Sequence, residues 1–80
     1  MSKIEELVKK VIAQVLCIKT KKIALTDSIT KDIGADDLDW IEILINIEKE
    51  VGFDIPDKKA LEMETVKDMV TYIEERFTNK

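Results

Sequence analysis

The densest grouping of chemistry-bearing residues is Asp32-Ile33-Gly34-Ala35-Asp36-Asp37-Leu38-Asp39, four carboxylates around one of the chain's two glycines. A glycine that ends a loop before a helix leaves free backbone N–H groups and the positive end of the helix dipole at one spot. Such a spot suits a phosphate or another anion. It also stabilises an acid in the first helical turn by roughly 0.3–1 kcal/mol. Crowding Asp32, Asp36, Asp37 and Asp39 together offsets part of that gain. It raises oxygen ligation of Mg²⁺ or Ca²⁺ as a second chemistry. Acids at an exposed helix start are ordinarily solvated, so no metal site is assigned. Other chemistries are excluded by count: the 80 residues include no histidine and one cysteine. That removes His-ligated zinc, a Ser-His-Asp triad and a histidine base. It equally removes an internal disulfide or a multi-thiolate metal site, which suits a reducing cytosol. A two-carboxylate hydrolase needs acids converging on a cleft, for which so short a chain offers little room. No catalytic residue is assigned, and the chain is expected not to be an enzyme.

The acids need elements to position them, and helical periodicity supplies these. Ser2 with Glu5 reads as a capping box. Behind it Ile4, Leu7, Val8, Val11, Ile12, Val15 and Leu16 form one apolar stripe over a first helix at about 3–17. Cys17 follows that stripe and is expected to be a small buried residue. Residues 18–33 lack clean periodicity and read as a long loop, pinned by Ile23, Leu25, Ile29 and Ile33, of a length that is often functional. Asp36 is a good N-cap for a second helix to about Val51, stopped by Gly52. This helix carries apolar residues on more than one face, so some must lie exposed. Of Ile41, Leu44, Ile45 and Ile47, most are expected in the core, with Ile45 at the surface. Phe53 to Pro56 reads as extended, with a short helix at about 57–62. Thr65 with Asp68 caps a last helix with Val66, Met69, Val70, Ile73 and Phe77 inward. The expectation is one all-α domain over residues 1–80, a small four-helix bundle with a short third helix.

Charge is uneven. Of a net −4, residues 1–30 contribute +3, residues 31–57 contribute −7, and the rest balance. A focused acidic surface draws basic partners and argues against nucleic acid. No apolar run approaches the roughly 18–20 residues of a membrane span, and nothing reads as a signal peptide. A monomer in the cytoplasm is the expectation.

At Gly34-Ala35-Asp36-Asp37-Leu38-Asp39 the sequence resembles the acyl carrier protein family, whose members carry Gly-Ala-Asp-Ser-Leu-Asp there. The resemblance spans the chain without gaps. It takes in Ile4-Glu5-Glu6, Val8-Lys9-Lys10, Ile55-Pro56-Asp57, Thr65-Val66 and Tyr72-Ile73. It implies a module of fatty acid or other lipid biosynthesis whose serine bears a 4'-phosphopantetheine arm. This chain has Asp37 at that position, and a carboxylate offers no hydroxyl for the phosphodiester. The resemblance therefore implies the carrier fold and its partner surfaces without the arm, and no cofactor is expected. Asp37 is either a substitution made in a working carrier or the natural residue of an armless relative. Ser2, Ser28, Thr26 and Thr30 are the nearest hydroxyls in type, Ser2 capping the first helix and the others lying in the long loop.

By the same resemblance, Asp36, Asp39, Glu42, Glu48 and Glu50 match the strip through which carriers meet basic patches on lipid-synthesis enzymes, interrupted by Lys49. Ile45 and Trp40 join them as apolar contacts, although Trp40 suits a partly buried anchor as well as a partner contact. An acyl chain would lie among Ile29, Thr30, Ile47, Ile55, Ala60, Met63, Met69 and Tyr72, which otherwise make ordinary core. The alternative to a carrier role is a structural or regulatory protein whose acidic helix binds a basic partner unrelated to acyl transfer.

Overall fold

The computed structural model describes residues 3–78. The Ser2 half of the expected capping box lies outside them. Helix α1 runs Lys3–Leu16, α2 Asp37–Val51, α3 Asp57–Glu62 and α4 Val66–Thr78, with a 3-10 turn at Thr20–Lys22. Among the described residues this is the small all-α bundle expected, its one extended feature an isolated bridge between Ser28 and Thr65. Helix α1 packs on both α2 and α4. Val8 and Ile12 of α1, Ile43 and Ile47 of α2, and Met69 and Ile73 of α4 are fully buried together with Ile29. Removing each such side chain from water contributes about 1.5–3 kcal/mol, which is the main force holding the helices together.

Two details differ from expectation. Cys17 is exposed, with φ of 58°. The Ile18 N–H donates to the Ala13 carbonyl at 3.0 Å. That is a Schellman closure, whose left-handed residue is ordinarily glycine. The reversal at Cys17 turns its side chain off the apolar stripe, so continuing the helical pattern one residue too far gives the wrong burial. Phe77, expected inward, is 40 % exposed. It packs edge-on against Phe53 with ring centroids 5.7 Å apart, and the Arg76 guanidinium sits 4.9 Å from the centre of the Phe53 ring. These three close the end of α4 onto the extended segment after α2.

The long loop is more ordered than its lack of periodicity implies. Asp32 accepts the Ser28 N–H at 2.8 Å, and the Ser28 hydroxyl accepts the Lys31 N–H at 3.2 Å. Ala35 N–H reaches the Ile29 carbonyl at 3.0 Å. The loop is then tied to the start of α4. Val66 and Lys67 donate to the carbonyls of Asp27 and Leu25 at 3.1 and 2.9 Å, and Ile29 donates to the Glu64 carbonyl at 3.0 Å. A helix start carries four unpaired N–H groups; here loop carbonyls take two of them, and the loop gains a fixed position. Ile23 and Ile29 are buried beneath it, with Leu25 and Ile33 packed at the margin.

Candidate functional site

The site lies at the start of α2. Gly34 adopts φ of 91°, a left-handed conformation that glycine reaches without steric cost, and it turns the loop into the helix. Asp36 is the N-cap, accepting the Asp39 N–H at 2.8 Å, while Asp39 accepts the Asp36 N–H at 3.3 Å. This reciprocal capping box uses both acids to hold the helix end. Asp37, the first residue of the helix, is exposed. With Asp32 bonded to Ser28, the four acids do not converge. Among the described residues no group of three or more His, Cys, Asp or Glu is placed to hold a metal ion.

Along α2, Ile43 and Ile47 face the core, and Leu38, Ile41 and Ile45 occupy the opposite side. Their spacing of three and four residues makes one stripe. Leu38 is 64 % exposed. Ile41, expected among the core residues, is exposed with Ile45, because burial is set by the side of the axis that α1 covers. Leu44 is half-buried. Glu42 and Glu50 are exposed, and Glu50 borders a groove against α1 with Lys10 and Lys49. Glu48 lies elsewhere: six residues from Glu42, it is turned about 120° around the axis. Its carboxylate accepts the Ile55 N–H at 2.7 Å. The acids of α2 therefore do not form a single strip.

Beside Asp37 opens a cleft of about 350 Å³, bordered by Thr30, Trp40, Leu61 and Met63 and floored by Ile29 and Ala60. Trp40 is half-buried, one side on the core and the other on the cleft. Of the residues expected to surround an acyl chain, Ile29, Ala60, Met63 and exposed Thr30 border this cleft. Met63 and half-buried Tyr72 border a separate groove with Lys59 and Lys67. Ile47, Ile55 and Met69 are closed in the core. The structure thus splits the expected pocket in two. It also brings the loop residue Thr30 next to the start of α2, which spacing alone did not show. Leu61, 85 % exposed, carried no sequence signal beyond standing in a helix too short to show a face.

Asp68, the α4 cap, is held below the usual aspartate range, first by the Thr65 N–H and then by the Glu64 N–H that it accepts, with desolvation opposing. Its bonds to Thr65 and Glu64 are 3.0 and 2.9 Å long, and the Thr65 hydroxyl accepts the Asp68 N–H at 3.1 Å.

The family model described as Phosphopantetheine attachment site matches residues 6–73, and the chain belongs to that family, to which acyl carrier proteins belong. Its backbone is similar to that of a solved structure from Mycobacterium tuberculosis described as a candidate acyl carrier protein. The TM-score is 0.82 at 24 % sequence identity, over 89 % of this chain and 95 % of that one.

A phosphodiester forms on a hydroxyl oxygen, and the side chain of Asp37, the first residue of α2, ends in a carboxylate. Ser28 is buried and engaged with Lys31. Thr30 is the one hydroxyl-bearing residue bordering the cleft, and it stands in the loop.

Proposed function

We propose that this chain is an acyl-carrier-like module of fatty acid or other lipid biosynthesis that docks partner enzymes through α2 and carries no 4'-phosphopantetheine arm. The observation that carries the reading is the exposed stripe of Leu38, Ile41 and Ile45 on α2, flanked by Glu42 and beginning at Asp37. Isolated exposed apolar residues are common, but a row of three on one helix face marks an interaction surface. Apolar residues in such a row supply the contact area, and the surrounding −7 segment steers basic partners toward it. The module acts as a monomer in the cytoplasm and performs no chemistry of its own. It occupies or reports on a carrier's place at an enzyme. Affinity capture tests this with the purified chain immobilised against individual lipid-synthesis enzymes. Binding that is lost in Ile41→Asp, with the helical spectrum unchanged, is the expected result. Failure of every such enzyme to bind, for this chain and for Asp37→Ser alike, would point to a basic partner unrelated to acyl transfer.

A further inference from the structure

The chain separates its charges along its length. Between Glu6 and Asp27 stand five lysines and no acid, although acids make up 17 of the 80 residues. Three of those lysines, Lys19, Lys21 and Lys22, are exposed on and beside the 3-10 turn that follows α1. The turn is held in place: the Lys22 and Ile23 N–H groups donate to the carbonyls of Lys19 and Thr20 at 3.0 Å each, and Ile23 is buried. A 3-10 helix has three residues per turn and rises about 2 Å per residue, so Lys19 and Lys22 stand on one side, about 6 Å apart along the axis. Among the described residues none of the three lysines has a carboxylate within ion-pair distance. The end of α1 does not account for them. A helix dipole acts within the last turn, and Lys19 stands three residues beyond Leu16.

Acids share this end of the bundle. Phe53, beyond α2, meets Phe77 of α4. The Ile29 N–H donates to the Glu64 carbonyl before α4, and the Ile29 carbonyl accepts the Ala35 N–H before α2. Helices α2 and α4 therefore run the same way. Ile4, at the start of α1, borders a groove with Thr71 and Phe77 of α4, so α1 runs oppositely. Its end, with the lysine turn, lies toward the starts of α2 and α4. An extended anionic surface such as a bilayer, pressed on that end, would also meet exposed Asp36 and Asp37 and be repelled. A short acidic segment can reach the lysines alone. Alternate residues of an extended strand lie about 6.5 Å apart on one side, which matches the separation of Lys19 and Lys22.

We propose that the turn at residues 19–22 docks an extended acidic peptide segment of a partner protein. Carboxylates on alternate residues of that segment meet Lys19 and Lys22, with Lys21 at the flank. This goes beyond the docking of α2 and does not depend on it. It adds a second contact of opposite sign, and the two together seat a partner in one orientation.

The test titrates the chain with hexaglutamate, hexalysine and phosphatidylserine vesicles at about 0.1 M salt, where charges more than about 10 Å apart are largely screened. Amide NMR shifts follow the peptides, and co-sedimentation follows the vesicles. Hexaglutamate is expected to shift the amides of residues 18–23 saturably, while hexalysine leaves them in place. Each lysine contributes about two- to five-fold. Combining Lys19→Gln, Lys21→Gln and Lys22→Gln should therefore weaken hexaglutamate by about ten-fold or more. Lys3→Gln, Lys49→Gln and Lys58→Gln together make the same change in net charge toward the other end of the bundle. They should weaken it by less than about two-fold. Equal weakening in the two triple variants, hexaglutamate shifts that avoid residues 18–23, or equal shifts there with hexalysine would overturn the proposal. Vesicle binding abolished by the changes at 19–22 would overturn it in favour of a lipid surface. Ile41→Asp should leave the hexaglutamate response unchanged. Enzyme capture that fails while hexaglutamate binds would remove the docking reading and leave this one standing.

Discussion

The starts of α2 and α4 are built from the same local device and put to different uses. Each is closed by an acid three residues from its cap, Asp39 with Asp36 in one and Asp68 with Thr65 in the other. At α4 the next two N–H groups are bound by the carbonyls of Asp27 and Leu25, and the end is sealed beneath the long loop. At α2 the start stands in solvent, and Asp37 looks onto a cleft. One helix start is joinery, the other is a presented surface. Equal capping chemistry thus says little about role; what differs is whether a neighbouring segment uses the remaining donors.

The largest effect expected from breaking this comparison is at α4. Asp68→Ala removes the acceptor of two backbone N–H groups and loosens the tie to residues 25–29. It should cost about 1–2 kcal/mol in urea unfolding, the upper part of the range for a lost cap. The same carboxylate sets an acid limit. Because its folded value lies below its unfolded one, its contribution is whole above the ordinary aspartate range. It is lost as pH falls through the depressed folded value. The urea midpoint should therefore fall more steeply in acid for the parent chain than for Asp68→Asn. Asp36→Ala removes one acceptor at an exposed end and should cost less, about 0.5–1 kcal/mol. Asp37→Ser should be smallest, within about 0.5 kcal/mol, since a first-turn charge at an exposed helix start contributes only a few tenths. If Asp37→Ser destabilised as much as Asp68→Ala, the two helix starts would be alike in role, and Asp37 would be structural.

Local spacing made both caps legible in the sequence, because a cap is decided within four residues. The helix ends at Gly52 and at the extended segment before Pro56 were legible for the same reason. What escaped depended on contacts between distant segments. Thr30 reaches the start of α2 because Ile29 and the residues before it are bound to residues 64–67, and no periodicity in the loop encodes that pairing. Glu48 reads as one more acid on a charged helix, yet the Ile55 N–H arriving at 2.7 Å draws its carboxylate away. Cys17 misled because the apolar stripe of α1 continues up to it, while its left-handed backbone places it beyond the last turn. The Gly34–Asp39 motif marks the start of α2 in the sequence. Glu62 at the end of α3 and Glu64 beyond it border the same cleft as Asp37, a grouping of distant segments that no local spacing shows.

The proposed absence of an arm turns on Asp37 at the start of α2, and intact-mass measurement tests it most directly. The chain and Asp37→Ser are each incubated with a phosphopantetheinyl transferase and coenzyme A. The account predicts an unchanged mass for the parent chain and the added mass of one 4'-phosphopantetheine arm for Asp37→Ser. The arm's mass on the parent chain, at Thr30 or at any other hydroxyl, would contradict it.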